Sequence, residues 1–85
     1  MSKYYVYVLK SLSRGMLYIG SSQDITKRLE AHNQGLSRYT KGRMPWILAY
    51  SEEFSTRSEA VRRERFLKSG KGRELLKTKL LPVER

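Results

Sequence analysis

Apolar and polar positions alternate in two short segments near the start of the chain, as they do in half-buried strands. Residues 4–9 and 16–20 are both rich in β-branched and aromatic side chains. Residues 11–15, which separate them, have the composition of a tight turn, with Gly15 suited to a left-handed backbone conformation. The pattern therefore predicts an antiparallel β-hairpin.

The register of this hairpin decides where two tyrosines point. If Leu9 lies opposite Met16, then Tyr7 lies opposite Tyr18, and both phenols emerge on one face of the sheet. A register shifted by two residues keeps them on that face, whereas a shift by one residue separates them.

Helical periodicity begins directly after the hairpin. Ser21 and Asp24 have the spacing of a helix-start box, the helical pattern continues over residues 25–33, and Gly35 ends it. Residues 36–45 show no apolar period and are predicted to form a basic loop.

The second half of the chain repeats the order of strand and helix. Residues 46–50 are predicted to form a third strand that could extend to Phe54, and Thr56 and Glu59 form a capping box for a helix that ends near Lys68. Glycines at 70 and 72 break this helix before a short last helix over residues 73–81. The predicted fold class is α+β, with a three-stranded, mainly antiparallel sheet flanked by helices in a single domain over residues 1–85 and a core at about 4–75.

Both long helices carry polar residues on the face that should pack against the sheet. His32 lies on the apolar stripe of helix 25–33 with Arg28 at its edge, and Glu64 projects from the apolar face of helix 56–68. A carboxylate in such a position must be paired, bind a metal or line a cleft, because burying it alone is costly. Two structural alternatives stay open, a Glu64–Arg28 ion pair between the helices and a His32 that only makes a boundary hydrogen bond.

The charge of the chain favours a polyanionic partner. Eighteen Lys and Arg against eight Asp and Glu give a formal charge of +10 and a pI near 10.2, a field that attracts nucleic acid. The basic residues are spread over the whole chain, which argues against a membrane-surface helix. The chain has no cysteine and no apolar run of membrane-spanning length, so we expect a cytoplasmic protein.

Two basic segments are candidate nucleic-acid contacts. In the predicted loop, Arg38, Lys41 and Arg43 alternate with the aromatic rings of Tyr39 and Trp46, which suits backbone contact and base stacking unless Trp46 belongs to the core. Around the glycine-rich break, the cations are Lys68, Lys71 and Arg73, and the backbone amides there could hold a phosphate or simply start a new helix.

These residues together resemble the GIY-YIG nuclease superfamily, in its short stand-alone single-domain type. The similarity rests on Tyr5-Val6-Tyr7, with Tyr5 in place of the usual glycine, and on Tyr18-Ile19-Gly20. It continues through the helix that bears Arg28 and His32 and the helix that bears Glu64, over residues 4–75.

The resemblance implies cleavage of DNA phosphodiester bonds with Mg²⁺ or Mn²⁺. Glu64 would hold the metal, Arg28 would stabilise charge on the phosphate, and Tyr7 would take or relay the proton of the attacking water. Tyr18 and His32 would orient that water or share the role of base. Many nucleases of the superfamily also use an asparagine after the glutamate helix, and this chain has no asparagine beyond Asn33.

Three hypotheses about function follow. The first is a metal-dependent endonuclease that acts on DNA rather than RNA with little sequence specificity. The second is a nucleic-acid-binding module of the same fold with little or no turnover, which the missing asparagine motivates. The third is a small scaffold that docks on an acidic protein. The sequence predicts no oligomeric state.

Overall fold

An antiparallel three-stranded sheet lies at the centre of the computed structural model, which describes residues 3–80. The strands are β1 (Tyr4–Ser11), β2 (Leu17–Ser22) and β3 (Trp46–Phe54). Their order is β2-β1-β3, so the hairpin strand β2 and the later strand β3 form the two edges. The predicted α+β class and the extension of the third strand to Phe54 are confirmed.

The hairpin forms in a register two residues away from the pairing considered above. Leu9 lies opposite Tyr18 and Tyr7 opposite Gly20, because β1 continues to Ser11, whose buried hydroxyl donates to the Arg43 carbonyl at 2.6 Å. A shift of two residues preserves the alternation of side chains. The phenols of Tyr7 and Tyr18 therefore still share one face.

Two helices pack on that face, α1 (Ile25–Asn33) and the one-turn α2 (Arg38–Lys41). Asp24 caps α1 by accepting a hydrogen bond from the Lys27 amide at 3.0 Å. The prediction that Ser21 starts this helix is wrong, because Ser21 belongs to β2. The prediction of a structureless loop is also wrong, since α2 lies within it.

The opposite face is covered by α3 (Arg57–Lys68) and α4 (Gly70–Leu80). The predicted capping box is present at the start of α3, where the Glu59 amide donates to Thr56 Oγ1 at 3.2 Å and the Thr56 amide donates to Glu59 Oε1 at 3.3 Å. The last helix begins at Gly70 rather than at residue 73, and the predicted end at residue 81 lies outside the described residues.

The close approach of α4 to α3 explains the glycine at position 72. A Cβ atom on Gly72 would lie 2.0 Å from the Phe66 carbonyl oxygen and 2.4 Å from Leu67 Cα. The Gly72 amide is capped by the Ser69 hydroxyl at 3.3 Å. The glycine-rich break is therefore the end of α3 followed by the start of α4. This is the second of the two interpretations given for it in the sequence analysis.

The alternation of β1 sends its side chains into two separate cores. Val6 and Val8 pack with Ile19 and the buried side chains of α3 and α4, whereas Tyr7 and Leu9 pack with Trp46 and the inner face of α1. None of the helices within residues 3–80 has the length and apolarity needed to cross a membrane.

Candidate active site

Two phenols and an imidazole cluster on the α1 face of the sheet. The ring centroid of Tyr18 lies 4.7 Å from that of His32 and 6.4 Å from that of Tyr7. The centroids of Tyr7 and His32 are also 6.4 Å apart. Tyr7 and His32 are each 1% exposed, so the structure brings these three predicted site residues together in a largely dry environment.

Gly20 makes room for the Tyr7 phenol, a role that sequence reasoning missed. A Cβ atom at position 20 would lie 2.7 Å from Tyr7 Oη and 2.8 Å from its Cζ. The ring of Tyr7 therefore lies directly over the backbone of β2. The available signal was a glycine inside a strand, which often marks a close approach by another group.

Arg28 places a cation at the mouth of this cluster. It is exposed on α1, and its Nε donates a long hydrogen bond of 3.5 Å to Tyr7 Oη. Burial raises the pKa of Tyr7, and the hydrogen bond and charge of Arg28 only partly oppose that effect. The phenol of Tyr7 is therefore protonated at neutral pH, while the guanidinium remains available to a phosphate.

His32 has one ring nitrogen bonded and the other free within the described residues. Its Nδ1 lies 2.8 Å from Thr40 Oγ1, and the Thr40 hydroxyl is itself 3.4 Å from the Ser37 carbonyl, to which it can donate. Nδ1 then carries the proton, and the buried Nε2 has a lone pair with no partner in residues 3–80. Burial, and secondarily the charge of Arg28, lowers the pKa of His32, so this imidazole is a neutral proton acceptor.

Glu64 approaches from the other face of the sheet. Its Oε1 accepts a hydrogen bond from Ser21 Oγ at 2.8 Å, and its Oε2 forms an ion pair with Lys68 Nζ at 2.8 Å. The alternative in which Glu64 pairs with Arg28 is wrong, because Glu64 forms its ion pair with Lys68, one turn later on α3. The Glu64 side chain remains 20% exposed.

The two parts of the site meet at the edge strand β2. Ser21, which binds Glu64, directly follows Gly20, over which the Tyr7 phenol lies. Consecutive strand residues point to opposite faces. Glu64 and the tyrosine cluster are therefore held one residue apart along β2, on its two sides.

The donor set fits a magnesium-type ion only if the substrate supplies further ligands. Within residues 3–80, no group of three or more His, Asp and Glu side chains is arranged to hold a metal. Mg²⁺ is commonly bound by one or two carboxylates and completed by water and phosphate oxygens. Glu64 offers one such carboxylate, from which Lys68 must withdraw.

The predicted basic residues of the α2 region divide into free and engaged groups. Arg38 and Lys41 are exposed on α2, whereas the Arg43 guanidinium stacks 4.6 Å from the Tyr39 ring centroid and donates to the Tyr39 carbonyl at 2.7 Å. Trp46 is only 2% exposed, and its Nε1 donates to the Thr40 carbonyl at 3.0 Å. Trp46 therefore belongs to the core, and the prediction that it stacks on a base is wrong.

The basic residues near the helix break also differ in their contacts. Lys71 and Arg73 are exposed on α4, but Arg73 Nε donates to the Lys68 carbonyl at 3.1 Å. The Lys68 ammonium is paired with Glu64. The Gly72 amide is capped by Ser69 Oγ, so this amide is not available to a phosphate.

The sheet and the order of its site residues correspond to a known family. The GIY-YIG catalytic domain matches residues 3–78, and the chain belongs to the GIY-YIG family. The resemblance inferred from the sequence is confirmed.

The relatives of the chain are short proteins that match it along most of their length. A UPF0213 protein of Staphylococcus saprophyticus is 44% identical over 78 residues, which are 91% of this chain and 94% of that protein. A UPF0213 protein of Staphylococcus haemolyticus is 41% identical over the same shares. The solution NMR structure of a UPF0213 protein from Bacillus halodurans has a TM-score of 0.55 at 33% identity, covering 94% of this chain and 88% of that chain.

Proposed function

We propose that this protein is a metal-dependent endonuclease that hydrolyses DNA phosphodiester bonds with little sequence specificity. The observation that carries the proposal is the placement along β2 of an exposed guanidinium, two phenols and a buried imidazole on one side and a carboxylate on the other, one residue apart. Membership of a catalytic-domain family supports it, as does the formal charge of +10.

Arg28 is the residue that meets the scissile phosphate. Its side chain is exposed, while the hydrogen bond to Tyr7 orients it from behind. A guanidinium presents several donors to phosphate oxygens, and it gains most when negative charge grows on them in the transition state. Tyr7 is therefore a positioning group for Arg28, beside its proposed role of taking or relaying the proton of the attacking water.

His32 is the final acceptor of the proton that the attacking water loses. Its Nε2 is neutral and unpartnered among the described residues, but the ring is too deeply buried to touch solvent. A phenol must carry the proton to it, giving up its own proton as it receives one. The ring of Tyr18 lies closer to the imidazole than the ring of Tyr7 does. No phenol within residues 3–80 is hydrogen-bonded to Nε2, so the Tyr18 hydroxyl would have to turn toward His32 to act as this relay.

Glu64 would hold Mg²⁺ or Mn²⁺, which when bound neutralises charge on the phosphate and the leaving oxygen. The chain itself prepares the carboxylate for this role. Ser21 fixes one oxygen, and Lys68 neutralises the other while no cation is present. As Lys68 withdraws, its ammonium becomes free to contact a neighbouring phosphate.

The replacement of Glu64 by glutamine tests the enzymatic function. Glu64→Gln keeps the shape of the side chain but removes the charge, and we expect cleavage of branched, nicked or plain DNA in Mg²⁺ or Mn²⁺ to fall about a thousandfold. The matched control is Glu59→Gln on the same helix, because glutamine also serves in a capping box. Equal cleavage by Glu64→Gln and wild type would refute the proposed role.

A second candidate is a nucleic-acid-binding module of the same fold that does not cleave. Two observations favour it, the occupation of Glu64 by Lys68 and the lack of a free asparagine. Asn33, the single asparagine of the chain, is engaged with the backbone of Trp46 through hydrogen bonds of 2.7 and 2.9 Å. This candidate would be selected if the protein binds DNA but cleaves none of the substrates, and if Glu64→Gln binds DNA with the same affinity as the wild type.

A further inference from the structure

A cavity lies along the outer edge of β2, next to the candidate active site. Its volume is about 480 Å³, within the range of roughly 300–1,000 Å³ that holds small organic ligands. Tyr39 borders it on the α2 side, and Leu76 of α4 borders it on the other. We call this cavity the β2-edge pocket.

Two of its walls are shared with the site already described. Tyr18, which packs against His32, also lines the β2-edge pocket, and its ring centroid is 5.9 Å from that of Tyr39. Lys68, which pairs with Glu64, lines the opposite side. A group in the pocket therefore lies directly beside the phosphate that Arg28 and Glu64 would hold.

The charged residues around the pocket are all cations. Lys68, Arg73 and Lys77 line it, and the lining contains no Asp or Glu. Neither Arg73 nor Lys77 forms an ion pair with another residue in the described range 3–80. An anionic ligand would therefore meet two cations without an ion-pair partner in that range, Arg73 and Lys77, whereas the charge of Lys68 is compensated by Glu64.

The rest of the lining suits a flat aromatic ring with polar edges. Tyr39 is 49% exposed and Met16 37% exposed. The Arg43 guanidinium covers one face of the Tyr39 ring, so a ligand would contact the remaining exposed surface of that ring. β2 has no strand beyond it in the sheet formed by residues 3–80. Its outward backbone N–H and C=O groups can therefore hydrogen-bond the edge of a base, as in recognition of unstacked bases.

We propose that the β2-edge pocket binds an unpaired nucleotide of a DNA strand, with the base against Tyr39 and the adjoining phosphates on Arg73 and Lys77. This inference rests on the proposed function, and it names the substrate class. A base can enter the pocket only after it leaves the helical stack. The preferred substrates are therefore single-stranded, frayed or branched DNA rather than continuous duplex.

Binding to a fluorescein-labelled dT12 strand in EDTA, where no cleavage occurs, tests the pocket without depending on catalysis. The same strand with every nucleotide abasic is the comparison, so the result does not depend on where along the strand the protein binds. For the wild type, we expect about tenfold weaker binding to the abasic strand, because base stacking on an aromatic side chain is lost. Tyr39→Ala should remove this abasic effect, and Tyr39→Phe should retain it.

The cationic wall is tested with Lys77→Ala and the matched control Arg62→Ala, an exposed cation on α3 outside the pocket. Lys77→Ala should weaken binding to dT12 and reduce the slope of log affinity against log salt by about 0.7, the contribution of one phosphate contact on a single strand. Arg62→Ala should leave both unchanged. Because Lys77 is exposed, this variant remains informative if Tyr39→Ala does not fold.

The outcomes separate the pocket from the enzymatic proposal. An abasic effect that depends on Tyr39, without cleavage of any DNA, supports the pocket and refutes the endonuclease. Cleavage that requires Glu64, with no abasic effect or with equal losses in Tyr39→Ala, overturns the pocket alone. Tighter binding to a 12-base-pair duplex than to dT12 also overturns it, and tighter binding to rU12 overturns its assignment to DNA.

Discussion

The two faces of the sheet are built from the same strand but on different principles. On the α3/α4 face, Val6 and Val8 join an aliphatic core that includes Leu67 and Leu76. On the α1 face, Tyr7 lies over a glycine and beside an arginine, and His32 keeps a buried nitrogen without a partner in the described residues.

The two faces differ in the polarity of their buried side chains. The fully buried side chains of the first face are all aliphatic, and half-buried aromatic rings pack against them. A buried nitrogen without a partner costs free energy. Nε2 of His32 on the second face has none within residues 3–80, which fits its proposed role as a proton acceptor. Glu64 is the exception that links the faces, because it leaves the aliphatic side to reach β2 through Ser21.

The largest expected effect on stability comes from the aliphatic face. In Gly72→Ala, the new Cβ would lie 2.0 Å from a backbone oxygen of α3, and backbone atoms cannot rotate away. We expect the free energy of unfolding to fall by about 3 kcal/mol, measured by urea denaturation.

Gly70→Ala is the matched control, because a Cβ at Gly70 meets nothing within 4 Å. It should be neutral or stabilise the protein by up to about 1 kcal/mol. If both variants unfold at the same urea concentration, α4 does not approach α3 as closely at Gly72 as the structure shows.

A smaller loss of stability with a larger loss of function is expected on the α1 face. In Gly20→Ala, the clash is with the end of the Tyr7 side chain, 2.7 Å from Oη, which can move at a cost of about 2 kcal/mol. The displaced phenol would release Arg28, so DNA cleavage should fall far more than unfolding alone explains.

Gly42→Ala serves as the control for this variant, since the position is open. Stability and cleavage are measured on the same samples at a temperature where all variants are folded. A Gly20→Ala protein that cleaves as fast as wild type would remove Tyr7 from the site.

The smallest effect is a dependence of stability on pH that belongs to the α1 face. The pKa of His32 is lowered below 6.5 by burial and by Arg28, so below pH 6.5 the unfolded chain binds a proton that the native protein excludes. This group therefore costs no stability above pH 6.5. Below it, stability falls by at most about 1.4 kcal/mol per pH unit until the lowered native pKa is reached.

Urea unfolding of the wild type and of His32→Gln at pH 7.5 and 5.5 checks this dependence. The wild type should lose more stability than the variant on acidification. The groups that face position 32, Tyr7, Tyr18 and Arg28, are present in both proteins, so the difference reports His32. Parallel losses in the two proteins would mean that His32 is protonated freely and is not the buried neutral base inferred above.

Sequence periodicity predicted most of the helices and strands because each of them presents a regular apolar face. It located β3, the capping box of α3 and the bounds of α1, and it placed Tyr7 and Tyr18 on one face even though the exact pairing differed by two residues. It missed α2, whose single turn is too short to show a period.

The candidate site was predictable in its residue types but not in its contacts. The polar positions of Arg28, His32 and Glu64 on helix faces are local properties of the sequence. The partner of Glu64 was not predictable, because Lys68 and Arg28 were both available and only the packing of α3 against β2 selects between them.

The sequence by itself determined the fold class, the family and the overall charge, since periodicity, short motifs and composition are all read along the chain. Only the tertiary structure decided that Gly20 carries the Tyr7 phenol, that His32 keeps one nitrogen free within the described residues, and that a basic pocket opens beside β2. Each of these depends on distances between segments far apart in sequence, which are fixed by how helices and strands pack.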